Sequence, residues 1–265
     1  MRKRRKKGSL TVVGTGIQAV THITLQTRSC IEEADKVFYL VVDPVTVEWI
    51  QKVNPSAESL GRFYARGKSG EITYSAIAEQ IVCFVRKGLN VCAAFYGHPG
   101  VFVEPSHAAI RRARAEGFPA RMLPAISAMD CLYADLSVDP GTLGSQSYGA
   151  TQFLRQVRKW DAKCPLFLWQ VGLIGQMKFL PRRSSIRSGL ELLVGELKKF
   201  YPGSHKVTIY EASQFVICKP VMRTVRLADL PAARVSPLSI LYVPPLGELP
   251  VDQRMLKLLS KIAPV

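Results

Sequence analysis

Acidic residues are scarce in this chain. Only 20 Asp and Glu stand against 36 Lys and Arg in 265 residues, a formal net charge of +16. Six of the positive charges lie in Arg2 to Lys7, which reads as a solvated basic tail (residues 1–8), leaving about +10 for the rest. A basic surface fits nucleic acid, anionic lipid or an acidic peptide, and says nothing of fold. No RNA-binding motif or run of stacking aromatics is present, so nucleic acid is not the expected partner. Histidine is also rare. The four histidines are dispersed, and the six cysteines (Cys30, Cys83, Cys92, Cys131, Cys164, Cys218) form no Cys-x-x-Cys pair. The spacing of a zinc site is therefore missing, and the cysteines read as small core residues in a reducing cytosol. Long apolar runs are lacking too. Pro165 to Met177 is uncharged but too short to cross a bilayer, and Gly14, Thr15, Gly16, Gln18 and His22 interrupt the apolar run after the basic tail. These absences lead us to expect a cytoplasmic globular protein with no membrane partner.

What the chain does have is a stretch around which the rest can be organised, Val91 to Val103. Val91 to Phe95 has the profile of a strand buried on both faces, as in a parallel sheet. It runs into Tyr96-Gly97-His98-Pro99-Gly100, where two glycines permit a sharp turn and a close approach to a ligand. Ser106 is the expected cap of the helix that comes next. Strand, glycine turn and helix together mark where open α/β sheets bind ligands. An ordinary tight connection has the same outline.

Around this stretch the sequence predicts further elements. Leu10 to Val13 reads as a strand breaking at Gly14-Thr15-Gly16-Ile17-Gln18-Ala19, followed by a helix that includes Ile23, Leu25 and Ile31. Val37 to Val42 reads as a second strand, and Asp43-Pro44 opens a helix through Trp49 and Ile50. Gly14-x-Gly16-x-x-Ala19 with Asp43 is a permissible dinucleotide fingerprint, weak on its own. Asn54 to Thr73 reads as an irregular loop carrying Arg62, Phe63, Tyr64, Arg66 and Lys68. Such a loop suits a polar chain with planar groups, such as a peptide, or is simply a solvated surface. From Tyr74 a helix is expected with Ile77, Ala78, Ile81, Val82 and Val85 on one face, stopped by Gly88. Ala120 to Leu123 reads as a strand before Pro124-Ala125-Ile126-Ser127-Ala128. Asp139-Pro140-Gly141 begins a linker. Beyond it, Leu166 to Val171, Val207 to Tyr210, Val221 to Val225 and Ser239 to Val243 read as strands. Ile186, Leu190, Leu193, Val194, Leu197 and Phe200 form a helical stripe. Arg254, Leu256, Leu258 and Leu259 look helical.

Tyr96-Gly97-His98-Pro99-Gly100-Val101-Phe102 resembles the Gly-Asp-Pro-type loop of the tetrapyrrole methylase family, whose members bind S-adenosylmethionine (SAM). Val13-Gly14-Thr15-Gly16 is similar to the family's first turn, and Pro124 to Ala128 to its Pro-Gly-x-Ser-Ala turn, with Ala125 in place of the usual Gly. The His-Pro-Gly-Val-Phe variant, and Ile17-Gln18 where many members have Pro-Gly, are similar to one branch. That branch is the borosin peptide backbone N-methyltransferases. The resemblance covers roughly Gly8 to Pro245.

The resemblance implies a two-domain α/β fold. Its N-terminal domain (residues 9–140) has an open, mostly parallel sheet with helices on both faces, and its second domain (141–245) is mixed α+β. Residues 246–265 form a C-terminal helical segment. It also implies SAM as cofactor, S-adenosylhomocysteine as product, and cofactor contacts from Tyr96, Gly97, His98, Pro99, Val101, Phe102, Ser127, Ala128, Gln170, Tyr210, Ser239 and Ile240. The loop at 54–74 supplies catalytic Tyr64 and Tyr74, with Arg62, Phe63, Arg66 and Lys68 toward the substrate. The implied reaction is methylation of backbone amide nitrogens of a ribosomally made precursor peptide by a homodimer. We expect the peptide to be supplied in trans. Two departures bear on activity: Gly70 stands where the loop usually has arginine, and Gly149 where a glutamate is common. A weakened homologue that binds SAM and peptide, and a SAM methylase of a tetrapyrrole-like small molecule, are the alternatives.

Overall fold

A computed structural model describes residues 8–64, 69–176 and 183–262. The basic tail Arg2 to Lys7, and Arg66 and Lys68 of the expected substrate loop, lie outside the described residues. The chain falls into two compact units. One is Met1–Val138 with Gly175–Arg183 and Tyr210–Met222; the other is Asp139–Ile174 with Ser184–Ile209 and Arg223–Val265. The second half is thus not one continuous body, because two of its segments belong with the first unit.

The first unit holds strands β1 (Ser9–Gly14), β2 (Lys36–Leu40), β3 (Glu58–Ser59), β4 (Asn90–Phe95) and β5 (Ala120–Met122) in the order β3-β2-β4-β1-β5. All four pairings are parallel. Alternate residues of the central strands serve two cores. Leu10, Val12, Val91, Ala93 and Phe95 pack with Ile77, Ile81 and Val85 of helix α3 (Gly70–Arg86) and with Ala109 and Ile110 of α4 (Glu104–Ala115). Val13, Cys92 and Ala94 pack with Ile31 of α1 (Leu25–Glu32) and Ile50 of α2 (Pro44–Val53). Coverage on both faces explains why Val91 to Phe95 is apolar throughout and not alternating.

Several local expectations need correction. The α3 helix begins at Gly70, capped by the Ser69 side chain accepting from Ile72 N, so Tyr74 lies more than one turn inside it. The preceding segment is not wholly irregular, since it contributes β3 and a 3₁₀ turn at Gly61–Phe63. Ser106 caps nothing. Its hydroxyl, inside the first turns of α4, donates to the carbonyls of Pro99 and Val103, folding the glycine turn back onto the helix. Strand β2 stops at Leu40 because Asp43 caps α2, its carboxylate accepting from Thr46 N at 2.7 Å. Ile23 precedes α1, whose cap is Thr24. The α5 helix (Ala128–Leu136) follows β5.

The second unit contains most of a sheet ordered β6-β7-β10-β8-β9, built from β6 (Gln146–Gly149), β7 (Leu166–Trp169), β8 (Lys206–Glu211), β9 (Val221–Arg226) and β10 (Ile240–Val243). Strand β6 pairs parallel to β7, and β10 antiparallel to it. Short helices α6 (Pro140–Leu143) and α7 (Ala150–Arg155) precede β7. In α8 (Arg183–Leu197), Leu190, Leu193, Val194 and Leu197 are buried against the sheet, whereas Phe200 falls past the helix end and is half exposed. The C-terminal helix α9 (Gln253–Ile262) carries exposed Met255, Leu256, Leu258, Leu259 and Ile262. Among the described residues no helix is long and apolar enough to cross a membrane.

Candidate functional site

Three turns converge at the carboxyl ends of β1, β4 and β5. Thr15 N donates to Phe95 O at 2.9 Å, Gly97 N to Gly16 O at 2.9 Å, and Tyr96 N to Leu40 O at 3.0 Å. Gly14 lies where they meet. A Cβ there would collide with the Gly97 carbonyl oxygen and come within 2.6 Å of Ala125 Cβ and 2.7 Å of Pro99 Cδ. Ala125 is therefore accommodated in its turn because residue 14 has no side chain. Gly97 has φ +71°, a left-handed conformation that favours glycine, and among the described residues an added Cβ would meet only Ile17, at 3.3 Å. One side of that turn is thus open for a ligand.

Within the loop, His98 Nδ1 accepts from Gly100 N at 2.9 Å, and Val101 N donates to His98 O at 3.1 Å. His107 Nε2 lies 3.0 Å from Gly100 O. Phe102, half exposed, takes φ +56°, unusual for a bulky residue and a mark of a conformation imposed by the surrounding turn. Burial pushes the Tyr96 phenol up to about 12 despite its hydrogen bond with Gln214. Gln214 was not singled out in the sequence. Its carbonyl also accepts from Ala19 N at 2.9 Å, so it ties the first turn to Tyr96. His22 was likewise missed as an organiser: its Nδ1 accepts from Gln18 N at 3.3 Å and Ile17 N at 3.4 Å.

Ser127 is committed to its helix. Its hydroxyl accepts from Met129 N and Asp130 N, and its backbone N–H donates to Asp130 Oδ2 at 2.6 Å, completing a capping box for α5. Tyr210 is fully buried, and its hydroxyl donates to Asp135 Oδ2 at 2.6 Å. The Tyr210 side chain is therefore not offered to a ligand. In the second unit, Gln170, Ser239 and Ile240 come together at the ends of β7 and β10. Ile240 pairs with Trp169, and Val171 N donates to Ser239 O at 3.2 Å. Gln170 is left-handed at φ +58°, and Ser239 Oγ accepts from Ser236 N at 2.8 Å.

The dinucleotide reading is not met. That fingerprint needs a helix to open at the glycine turn, so that its N-terminus faces a pyrophosphate. Here α1 opens only at Leu25, and the Asp43 carboxylate is used in capping α2.

Tyr64 and Tyr74 face each other edge to face, with ring centroids 6.5 Å apart. Burial, then the neighbouring Tyr74, raises the Tyr64 phenol well above its usual range; burial, then Glu104, raises Tyr74. Both are neutral donors at neutral pH. Arg62 pairs with Glu58 at 2.6 Å and stacks over Phe63 at 5.2 Å, while Phe63 packs partly against the core. Gly70 lies directly over Tyr74: an added Cβ would be 3.4 Å from Tyr74 Cε2.

A parallel sheet with this glycine-lined convergence at its carboxyl edge, and a second mixed sheet, defines a methylase architecture. The chain belongs to the tetrapyrrole (corrin/porphyrin) methylase family, whose family model matches residues 9–212. The chain is 43% identical over 244 residues to the methyltransferase/ribosomally synthesized cyclic peptide omphalotin A precursor of Omphalotus olearius, covering 91% of this chain and 58% of that protein. It is 40% identical over 248 residues to a methyltransferase/type I borosin cyclic peptide precursor of Coprinopsis marcescibilis, covering 91% and 63%. The chain thus spans about three fifths of the length of these curated relatives. In fold it is similar to uroporphyrin-III-C-methyltransferase from Thermus thermophilus, with TM-score 0.62, 18% identity, and 89% and 94% coverage of the two chains.

Proposed function

We propose that the protein is a SAM-dependent methyltransferase acting on backbone amide nitrogens of a ribosomally made precursor peptide, which in its finer form is supplied in trans to a homodimer. The observation that carries this reading is the identity of about 40% with methyltransferase/cyclic-peptide precursor proteins across nearly the whole chain. The glycine cradle fits the cofactor: Gly97 is open on one side, and Gly14 lets three turns converge. Tyr96 to Phe102 and Ala128 of the first unit would hold SAM. When bound, SAM supplies an electrophilic methyl group.

What the protein's own residues contribute is positioning and charge stabilisation. An amide nitrogen is a poor nucleophile because its lone pair is delocalised into the carbonyl. Methylation replaces the amide N–H by N–CH3, so the N–H proton must leave; a water molecule takes it, and negative charge develops on the amide oxygen as it goes. Tyr64 and Tyr74, held neutral by burial, are suited to donate hydrogen bonds to that oxygen. This assigns them an oxyanion-stabilising role in place of the base that a lowered phenol would provide. Arg62 is engaged with Glu58 and orders the approach to the pair.

A second reading is favoured by Gly70, which leaves the face of Tyr74 without the arginine usual in borosins. In that reading the protein binds SAM and peptide but transfers slowly. Co-expression with the precursor segment of the Omphalotus olearius relative, as a separate peptide, decides between them by mass spectrometry. Successive 14 Da additions to the peptide support the first reading. SAM binding by calorimetry with an unmodified peptide supports the second, and absence of both overturns each.

A further inference from the structure

Edge strands in the two sheets differ sharply in length. Strand β3 has two residues, β5 three and β6 four, whereas β9 has six and closes its sheet at Val221–Arg226. Short edges are the usual protection against pairing with another chain, and β9 lacks it. It has no proline, and five of its six residues are exposed; only Val225 packs on the core.

The register tells which backbone groups are open. Leu227 N donates to His205 O at 2.8 Å, and the hydroxyls of Thr208 and Thr224 lie 3.1 Å apart. Both pairs have the same residue-number total, so β8 and β9 run antiparallel. His205 and Leu227 form a hydrogen-bonded pair, which makes Thr208 and Thr224 a non-hydrogen-bonded one. Val221, Arg223 and Val225 therefore spend their amides on β8. Met222 and Thr224 turn their N–H and C=O groups to the open edge, whereas Arg226 caps the 3₁₀ turn Leu227–Ala232, which takes its carbonyl.

We propose that this edge takes an extended acidic peptide segment by strand addition. The proposal rests on the peptide-substrate reading and gives that substrate a docking strand away from its reacting amide. Charge selects the occupant. The β8–β9 hairpin and its connection carry Lys206, Lys219, Arg223 and Arg226 against Glu211 alone. The Arg223 guanidinium is tied to Arg234 O, and that of Arg226 to Asp229 at 2.7 Å. A second copy pairing edge to edge would gather four arginines in one narrow strip, which is unfavourable. An acidic strand meets no such repulsion, and main-chain bonds give affinity independent of its exact sequence.

The test uses fluorescence anisotropy on the whole chain without SAM. The probe is a labelled eight-residue peptide alternating valine and glutamate, with a valine–lysine version as control. Two further probes carry N-methyl groups on the valines only or on the glutamates only. Strand addition predicts that one N-methylated probe binds at least tenfold more weakly while the other binds like the parent. It also predicts that Met222→Pro weakens the parent at least tenfold, and that the lysine probe binds poorly. Equal affinity of the two N-methylated probes overturns the proposal even if Met222→Pro fails to fold. Self-association abolished by Met222→Pro, with no probe binding, overturns it in favour of a second copy. Because turnover is not read, failure of methylation leaves a positive result standing.

Discussion

Gly70 and Tyr74 are helical neighbours four residues apart, so any side chain placed at 70 rests on the Tyr74 ring at ordinary van der Waals distance. Gly70→Arg is therefore sterically admitted, and it places a cation against the phenol. The variant should transfer methyl about ten- to a hundredfold faster, since one electrostatic donor is worth roughly 3 kcal/mol in a transition state. SAM affinity should not change. Single-turnover rates on one peptide check this. A wild-type rate that is already fast, and that arginine lowers, would make Gly70 an adaptation of this site.

The neutral-donor role assigned to the tyrosines predicts that Tyr64→Phe and Tyr74→Phe each slow transfer by about a hundredfold or more. Peptide affinity should change little. A base would make the rate climb tenfold per pH unit through neutrality; a donor leaves it flat. A wild-type rate that rises steeply from pH 6 to 9 would sink the donor role.

Gly14 predicts a steric result. Gly14→Ala sets a methyl against the Gly97 carbonyl and Ala125, with backbone as the obstacle, so something must shift. Overpacking of this kind costs about 1–3 kcal/mol, and it displaces the turn proposed to hold SAM. Thermal unfolding and SAM calorimetry should both register the change. Gly97→Val and Gly100→Val should also abolish SAM binding. For Gly97 the left-handed backbone is the reason; for Gly100 it is the 3.1 Å approach to Met122 Sδ and the His98 ring. Unchanged SAM affinity in all three variants would remove the cofactor from this cradle.

The parallel sheet was legible because burial on both faces leaves an unbroken apolar run, as in Val91 to Phe95. The glycine turns were legible because they need residues without side chains, as at Gly14 and Gly97. Boundaries set by polar bonds at a distance were not. Ser106 looks like a cap in sequence, yet its hydroxyl serves the Pro99 carbonyl. Tyr210 looked like a ligand contact, but its hydroxyl is spent on Asp135. No local pattern announces a bond spanning 75 residues. The start of α3 was missed because glycine is a poor helix former, and Ser69 supplies the cap that overrides it.

His22 carries the last prediction. Its Nδ1 accepts from Ile17 N and Gln18 N, which holds the turn after Gly16, and this acceptor exists only in the neutral ring. Burial lowers the His22 pKa below its usual 6.5. A histidine with a depressed folded pKa favours the neutral form in the native state. Its contribution is therefore intact above about 6.5, where the unfolded chain titrates, and is lost as pH falls through the folded value. Protonation turns Nδ1 into a donor facing two donors, so the turn must open, and Gly16 with it. SAM affinity should hold from pH 8 to 7 and weaken as the pH falls below the ordinary histidine range. His22→Asn offers a carbonyl oxygen that accepts but does not titrate. Calorimetry across pH 5 to 8 should show a flat SAM affinity in that variant where the wild type declines. Parallel declines in the two proteins would move the pH dependence to another group.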